Sequence, residues 1–531
     1  MSRLRRPPFF WLLIFLLAIL ILFAAGRIAP HDEETVYRMT ANLIEHGQLT
    51  LTQQTFTLEP QTYPGFLPHI LPREQATTWT GLAPNGVRYP LYTHAQPLLQ
   101  IPLYVIGRII GGPPNNLMAV ALTRFTVSLL DPIAVALTGW LIALFGLRWG
   151  FSNRLSIGLG LIYSLCAMPL VYTHTNFTDP VLALLMTLAA YSAYRARADG
   201  EWPWLLWMGV ALGLALYLRE RSLIVLPIFV GYVIVTRRVR ALRGWIALLL
   251  PIGLAGLALA VWNWVRFGSP VTVGYANWVP DTGFGTPLLL GLYGLLISPG
   301  KGLLIYNPIV WLGVIGLIAL PRRRDEAVLF ILIALVSLVF YASYNFWTGG
   351  WNWGPRYMLV LMPFLLLGAG DWVHSHPTRL WRSALIGLSV LTLALNMPAL
   401  LVDQSRYLVG FGERDPDHYL ERAVLRIEDS PLTQQWPTVF EVAAMYARPE
   451  TWMAAQQALD AHLQSYHGDN DLESLSTHLM WVDEFFRLNV PDFWFAHLIL
   501  LGFLPIVVGL IVATLLGVVI VAGRHVWLML K

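Results

Sequence analysis

The run Ala29-Pro30-His31-Asp32-Glu33-Glu34 places three carboxylates side by side directly after the first long apolar stretch of the chain, residues 9–25. A stretch of that length can cross a bilayer, so the carboxylates emerge at a membrane surface. There Asp32 can take the proton of a hydroxyl as that hydroxyl attacks an electrophile, with Glu33 in support. A second acidic position, Asp179, closes the run Tyr172-Thr173-His174-Thr175-Asn176-Phe177-Thr178-Asp179. Cations suited to a phosphate occur at Arg219 and Arg221, at Lys301 within Ser298-Pro299-Gly300-Lys301-Gly302, and at Arg356 after Gly354-Pro355. A base facing cations that can absorb the charge of a departing phosphate points to chemistry on a lipid-linked substrate.

Each of these residues also has a plainer reading. Asp32 could be a solvated helix cap, and Asp179 could simply open the helix that Pro180 begins. Glu220 could neutralise Arg219 or Arg221, while Lys301 and Arg356 could anchor span ends at the interface. The Lys301 loop lacks the spacing of a P-loop. Asn176-Phe177-Thr178 has the form of a glycosylation sequon. Trp347, Trp351 and Trp353 could stack on sugar rings or belong to the interfacial aromatic belt. His31, His94 and His174 could join Asp32 around a divalent metal, but they lie in separate segments without ligand spacing.

The elements that must position these groups follow from composition. Of 531 residues, 56% are hydrophobic and 12% charged, which excludes an ordinary soluble globular protein and indicates many membrane spans. Cys166 is the single cysteine, so an intrachain disulfide and a thiolate metal cluster are both excluded. The net charge of +4 hides an asymmetry: residues 403–492 hold sixteen of the 31 acidic residues and six of the 35 basic ones. A basic body of membrane spans suits anionic lipid, not nucleic acid.

Further apolar runs lie at 122–145, 155–171, 181–193, 205–217, 223–235, 245–262, 303–320, 328–344, 357–370, 384–401 and 495–521. A weaker run, 97–110, ends at Gly111-Gly112-Pro113-Pro114 and is read as a half-membrane or interfacial helix. With that assignment the arginines sort to alternate loops: Arg3, Arg5 and Arg6; Arg148 and Arg154; Arg195 and Arg197; Arg237, Arg238, Arg240 and Arg243; Arg322–Arg324; Arg379 and Arg382; Arg524. The positive-inside rule then gives about twelve spans with both termini cytoplasmic. The first run has no small-residue cleavage pattern before the acidic cluster and is expected to be a retained span. Residues 33–46 read as an amphipathic helix, with Val36, Met39, Leu43 and Ile44 at helical spacing and Gly47 as its stop; Asp32 is expected at its N-cap.

The run Asp32-Glu33-Glu34-Thr35-Val36-Tyr37, continuing through Ala41-Asn42-Leu43 to Gly47, resembles the polyprenyl-phosphate-dependent glycosyltransferases of the GT-C fold. The protein O-mannosyltransferases and the lipid A aminoarabinose transferases are the nearest members. Asn176-Phe177-Thr178-Asp179 matches the place where that family sets its second outer carboxylate. The resemblance covers roughly residues 5–227 well and the later spans in general pattern. One departure stands out: the aminoarabinose transferases usually open the half-helix with Lys-Pro-Pro, whereas this chain has Tyr89-Pro90 and His94 to Pro97, without a lysine.

The resemblance implies an all-α polytopic bundle with a long first outer loop and sugar transfer from a polyprenyl-phosphate donor on the outer face. Asp32 would be the general base and Asp179 a second acidic residue; Tyr37 belongs to the same motif, and Tyr37, His94, His174, Trp351 and Trp353 would line the substrate. The acceptor hydroxyl would sit on a protein, a glycolipid or a glycan, next to membrane lipids. The expected division is a transmembrane body (1–402, with the outer loop 27–96), an acidic extracytoplasmic segment (403–493), and a final helix with a cytoplasmic tail (494–531). The expected location is the inner (plasma) membrane, with the site extracytoplasmic. No cofactor follows with certainty, and a divalent metal stays open. A lipid or polysaccharide transporter and a non-catalytic scaffold are the rival readings; no internal repeat of the transporter kind is visible.

Overall fold

A computed structural model describes residues 8–29, 31–51, 55–56, 66, 75–76, 80–237, 242–274, 283–319, 324–414, 418–464 and 471–531. The expectations for Arg3, Arg5, Arg6, Arg238, Arg240, Arg322 and Arg323, and for Pro30, fall outside these residues.

The chain is a helical bundle. Helices α1 (Pro8–Leu22), α2 (Asp32–His46), α3 (Ala95–Gly111), α4 (Leu117–Ser128), α5 (Leu130–Arg148), α6 (Asn153–Leu165), α7 (Thr178–Asp199), α8 (Pro203–Leu218), α9 (Leu226–Arg237) and α10 (Leu242–Phe267) form its first half. Two short antiparallel pairs, Thr55–Phe56 with Gln75–Ala76 and Thr80–Leu82 with Arg88–Pro90, interrupt the loop before α3. Then come α11 (Leu288–Ile297), α12 (Leu303–Tyr306), α13 (Ile309–Ile318), α14 (Arg324–Ser343), α15 (Met362–Ser375) and α16 (Arg379–Leu401). The acidic segment carries α17 (Ser405–Arg414), α18 (Pro431–Tyr446), α19 (Pro449–Gln464) and α20 (Leu472–Asn489), and the chain ends with α21 (Trp494–Leu500) and α22 (Pro505–Leu530).

Among the described residues, six helices are long and apolar enough to cross a membrane, or seven if the pair Asn153–Leu165 and Met168–His174, bent by 47°, is one span. The chain is thus a multi-pass membrane protein, with several of the expected runs shortened or broken. The run 303–320 breaks at Asn307-Pro308 into α12 and α13, and 495–521 breaks before Pro505, where a proline cannot continue the preceding helix. Helix α11 was not foreseen; its ten residues span about 15 Å, half a bilayer.

Small residues bring the helices close. A methyl on Gly209 or Gly213 of α8 would run into the Leu248 or Pro251 carbonyl of α10, and one on Gly313 or Gly316 of α13 into the Leu365 or Gly368 carbonyl of α15. Backbones in such contact gain dispersion that lipid cannot supply. Arg197, near the end of α7, pairs with Asp325 at 2.8 Å and Glu326 at 2.5 Å on the first turn of α14. Two of the arginine clusters that the sequence sorts together therefore meet on one side of the bundle.

The opposite side holds α2, α3, α4 and the acidic segment. Three carboxylates in the first turn of α2 oppose the positive end of its dipole. Gly47 stops the helix in the left-handed conformation, φ 64°, its N–H bonded to the Asn42 carbonyl. The N-terminal part of α2 is buried around its whole circumference, from Glu33 to Ala41. Helix α20 is equally enclosed, and carboxylates on it and on the flanking residues pin the acidic segment to the body. Asp483 receives Arg124 at 2.7 Å, Asp403 and Asp492 both receive Arg27 at 2.7 Å, and His174 lies 3.0 Å from Asp492.

Candidate active site

Asp32 is the first residue of α2, not its cap. The cap is His31, with φ 68° and no side-chain hydrogen bond to the helix. Among the described residues His31 is the one non-glycine position with positive φ. A histidine there costs about 1–3 kcal/mol, and such strain gathers where a neighbouring side chain must be aimed. Asp32 itself is half-buried. Glu33 turns back: it accepts the Ala29 N–H at 2.9 Å and the Asn176 N–H. Burial pushes the Glu33 carboxyl up to about 7, against the pull of those amides, Arg27 and Arg487. Glu34 is fully buried between Arg38 at 2.6 Å and Arg124 at 2.7 Å. Tyr37 shares a 2.7 Å hydrogen bond with Thr123, and Arg124 lies 5.0 Å from its ring. Tyr37 thus braces α2 against α4.

The second acidic run folds as a short turn leading into α7. Thr175 Oγ1 donates to Asp131 at 3.1 Å, Gln96 donates to the Asn176 carbonyl at 2.7 Å, and Arg219 Nε donates to Thr178 Oγ1. Asp179 is buried, with Arg219 Nη2 at 3.8 Å. Arg356 is the cation that both Asp179 and Asp32 act upon electrostatically. It is buried at the mouth of its helix, its guanidinium 5.0 Å from the Phe177 ring and 5.1 Å from that of Tyr357. The structure therefore brings Asp32, Asp179 and Arg356 into one neighbourhood although they come from three distant parts of the chain.

The remaining expected residues divide between cavity and framework. A cavity beside the turn is lined by Val36, Gln96, Thr178, Arg219, Glu220 and Arg221 among others. Arg221 donates to Tyr344 at 2.6 Å and lies 4.1 Å from that ring. Glu220 acts electrostatically on Arg266. Lys301 is buried and donates to the Gly350 carbonyl at 2.9 Å and to the Asn352 carbonyl, so it fastens the 349–353 loop. Burial, reinforced by Arg356, holds its ammonium well below the usual lysine value. Trp353 is buried and donates to Asn396 at 2.8 Å, whereas Trp351 is 44% exposed near Tyr419. His94 packs edge-on against Trp262 at 4.2 Å. Both ring nitrogens of His174 are engaged, by Asp492 and by the Phe23 carbonyl at 2.5 Å, so its place is the seam with the acidic segment.

Sequence reasoning passed over Asp131, Arg124 and Arg27. Asp131 and Arg124 lie within the apolar run 122–145, and a charge inside such a run is itself a signal. Asp131 is fully buried and lies within electrostatic reach of Glu33 and Asp179. Among the described residues no group of three or more His, Cys, Asp or Glu side chains is placed to hold a metal ion.

Residues 117–265 match the model of the dolichyl-phosphate-mannose-protein mannosyltransferase family. The match spans Asp131, Asp179, Arg219 and Arg221 and leaves Asp32 outside; it supports the resemblance to GT-C glycosyltransferases seen in the sequence. No curated protein matches the chain. Among solved structures, the chain is similar to ArnT from Cupriavidus metallidurans bound to undecaprenyl phosphate, at 15% identity and TM-score 0.48, over 91% of this chain and 76% of that one. It is also similar to the apo oligosaccharyltransferase of Archaeoglobus fulgidus, at 12% identity and TM-score 0.42, over 90% and 60% of the two chains. At these scores the likeness carries no residue-by-residue correspondence.

Proposed function

We propose that the protein is a membrane glycosyltransferase that moves a sugar from a polyprenyl-phosphate donor to an acceptor hydroxyl on the extracytoplasmic face of the inner membrane, both termini being cytoplasmic. The observation that carries this reading is the placing of Asp179 3.8 Å from Arg219, which lines a cavity with Arg221, while Asp32 and Asp179 both lie within electrostatic reach of the buried Arg356. The family match and the ArnT structure with undecaprenyl phosphate support the choice of donor.

In this reading the acceptor oxygen attacks the anomeric carbon, and the bond from that carbon to the phosphate oxygen breaks. Asp32 takes the acceptor proton. The electron pair leaves on the phosphate, where Arg219 and Arg221 stabilise it in a place shielded from water. Arg356 adds positive charge within electrostatic reach of both carboxylates, and Asp179 orients Arg219. The sugar is held in line for attack by the walls of the cleft. Lys301 and Trp353 shape the loop that closes the site, and Trp351, exposed at its edge, is free to stack on a sugar ring.

The test is to supply the purified protein in detergent with a panel of undecaprenyl-phosphate-linked sugars and to follow release of undecaprenyl phosphate. Release that depends on Asp32 supports the reading. No release from any donor by folded protein favours a transporter or a scaffold.

A further inference from the structure

The turn that carries Asp179 holds a polar group with nothing to bind. Asn176 is 1% exposed, and neither its Oδ1 nor its Nδ2 has a hydrogen-bond partner among the described residues. An amide buried without a protein partner at either end is costly unless something else bonds it. Its backbone is held on both sides, the N–H by Glu33 and the carbonyl by Gln96 at 2.7 Å. Its neighbour Thr175 is fixed to Asp131 at 3.1 Å. The main chain that carries the amide therefore cannot swing to find a partner.

Two further buried oxygens close by accept no hydrogen bond among the described residues: Oδ1 of Asp131, and Oδ2 of Asp179, which has only the Arg219 guanidinium at 3.8 Å. Asp131 lies within electrostatic reach of Asp179 and Glu33. The unmet demand is thus the two N–H donors and the carbonyl acceptor of the Asn176 amide, flanked by carboxyl oxygens. An anion offers acceptors and no donor, so it leaves the amide oxygen unmet, and an apolar group satisfies nothing. A hydroxyl-bearing ring fits, because each hydroxyl donates and accepts at once. Thr178 and Arg219 line the cavity assigned above to phosphate, and Asn176 stands two residues before Thr178 on the same turn.

We infer that Asn176 is a specificity-determining residue whose side-chain amide binds a hydroxyl of the donor sugar. This rests on the glycosyltransferase reading and deepens it.

Asn176→Leu, nearly the same shape without the polar atoms, tests it, with Asn176→Ala as a smaller companion. Two quantities are read: the melting temperature of each protein without ligand, and its affinity for bare undecaprenyl phosphate against undecaprenyl phosphate carrying each of several pyranose sugars. The expected result is an unchanged or raised melting temperature and affinity for the bare lipid phosphate within twofold of wild type. Affinity for the sugar-linked lipid that wild type prefers should fall about tenfold or more. A melting temperature several degrees lower in both variants would show that the amide serves the fold, and unchanged affinity for the sugar-linked lipid would show that it binds no sugar; either overturns the inference alone. A wild-type protein that binds neither lipid overturns the functional reading and this inference together.

Discussion

Arg27 and Asp492, 465 residues apart, form a two-pronged ion pair: Nε to Oδ1 at 2.8 Å and Nη2 to Oδ2 at 2.7 Å, with both side chains buried. The planar guanidinium matches the carboxylate fork, which makes the pair specific as well as strong. Burial alone would raise the Asp492 carboxyl, but Arg27 and His174 hold it well below the usual carboxylate range. The last part of the acidic segment is thereby locked to the stretch between α1 and α2, next to Asp32.

Removing one partner strands the other charge. Arg27→Ala leaves Asp492 and Asp403 without their shared cation, and such a loss costs about 3–5 kcal/mol. We expect a clearly lower melting temperature in detergent and loss of any transfer activity. Arg27→Lys keeps the charge but not the fork, so it should fall between the two. Equal melting temperatures for all three proteins would contradict the clamp.

Glu33 sets a dependence of stability on pH. Its carboxyl is raised from 4.5 to about 7 by burial, so between those values the folded state holds a proton that the unfolded chain has released. Stability from this group is full below 4.5 and declines as pH rises through about 7. Relative to Glu33→Gln, wild type should therefore lose melting temperature between pH 4.5 and 7 and stay lower at pH 8. Profiles that run parallel across this range would contradict the assignment.

Much of the outer architecture was legible in the sequence. The helix from 33 to 46, its glycine stop and the helical character of 97–110 follow from local spacing, and the arginines at 195–197 and 324 do meet on one side. The junction between the acidic segment and the body was not legible. Asp483 and Asp492 read as ordinary solvated acids, because nothing local reveals that Arg124 and Arg27 wait for them hundreds of residues earlier. Helices 405–414 and 472–489 were missed for a related reason: their faces are buried by partners distant in sequence. His174 looked like a ligand for substrate because a histidine on an outer loop is chemically versatile; tertiary packing gave both its nitrogens to the fold. Asp32 was expected as a cap, and the positive φ of His31 moved it one place into the helix.

Arg219 separates phosphate binding from the rest of the chemistry. It donates to Thr178 and lies 3.8 Å from Asp179 while lining the cavity. Arg219→Ala should raise the KM for a polyprenyl-phosphate sugar about tenfold or more, with a smaller fall in kcat. Arg219→Lys should recover part of the loss. A variant with unchanged KM would move the phosphate elsewhere.

Asp32 is where the account is most exposed. Proton transfer by a positioned carboxylate contributes about 10²–10⁴-fold to a rate. Asp32→Asn keeps the shape and a hydrogen-bonding group at the start of α2 but cannot accept the proton. The decisive measurement is the release of undecaprenyl phosphate from an undecaprenyl-phosphate-linked sugar by wild type and Asp32→Asn at equal amounts of folded protein. The account expects release by wild type and at least a hundredfold slower release by the variant at an unchanged melting temperature; equal rates would contradict it.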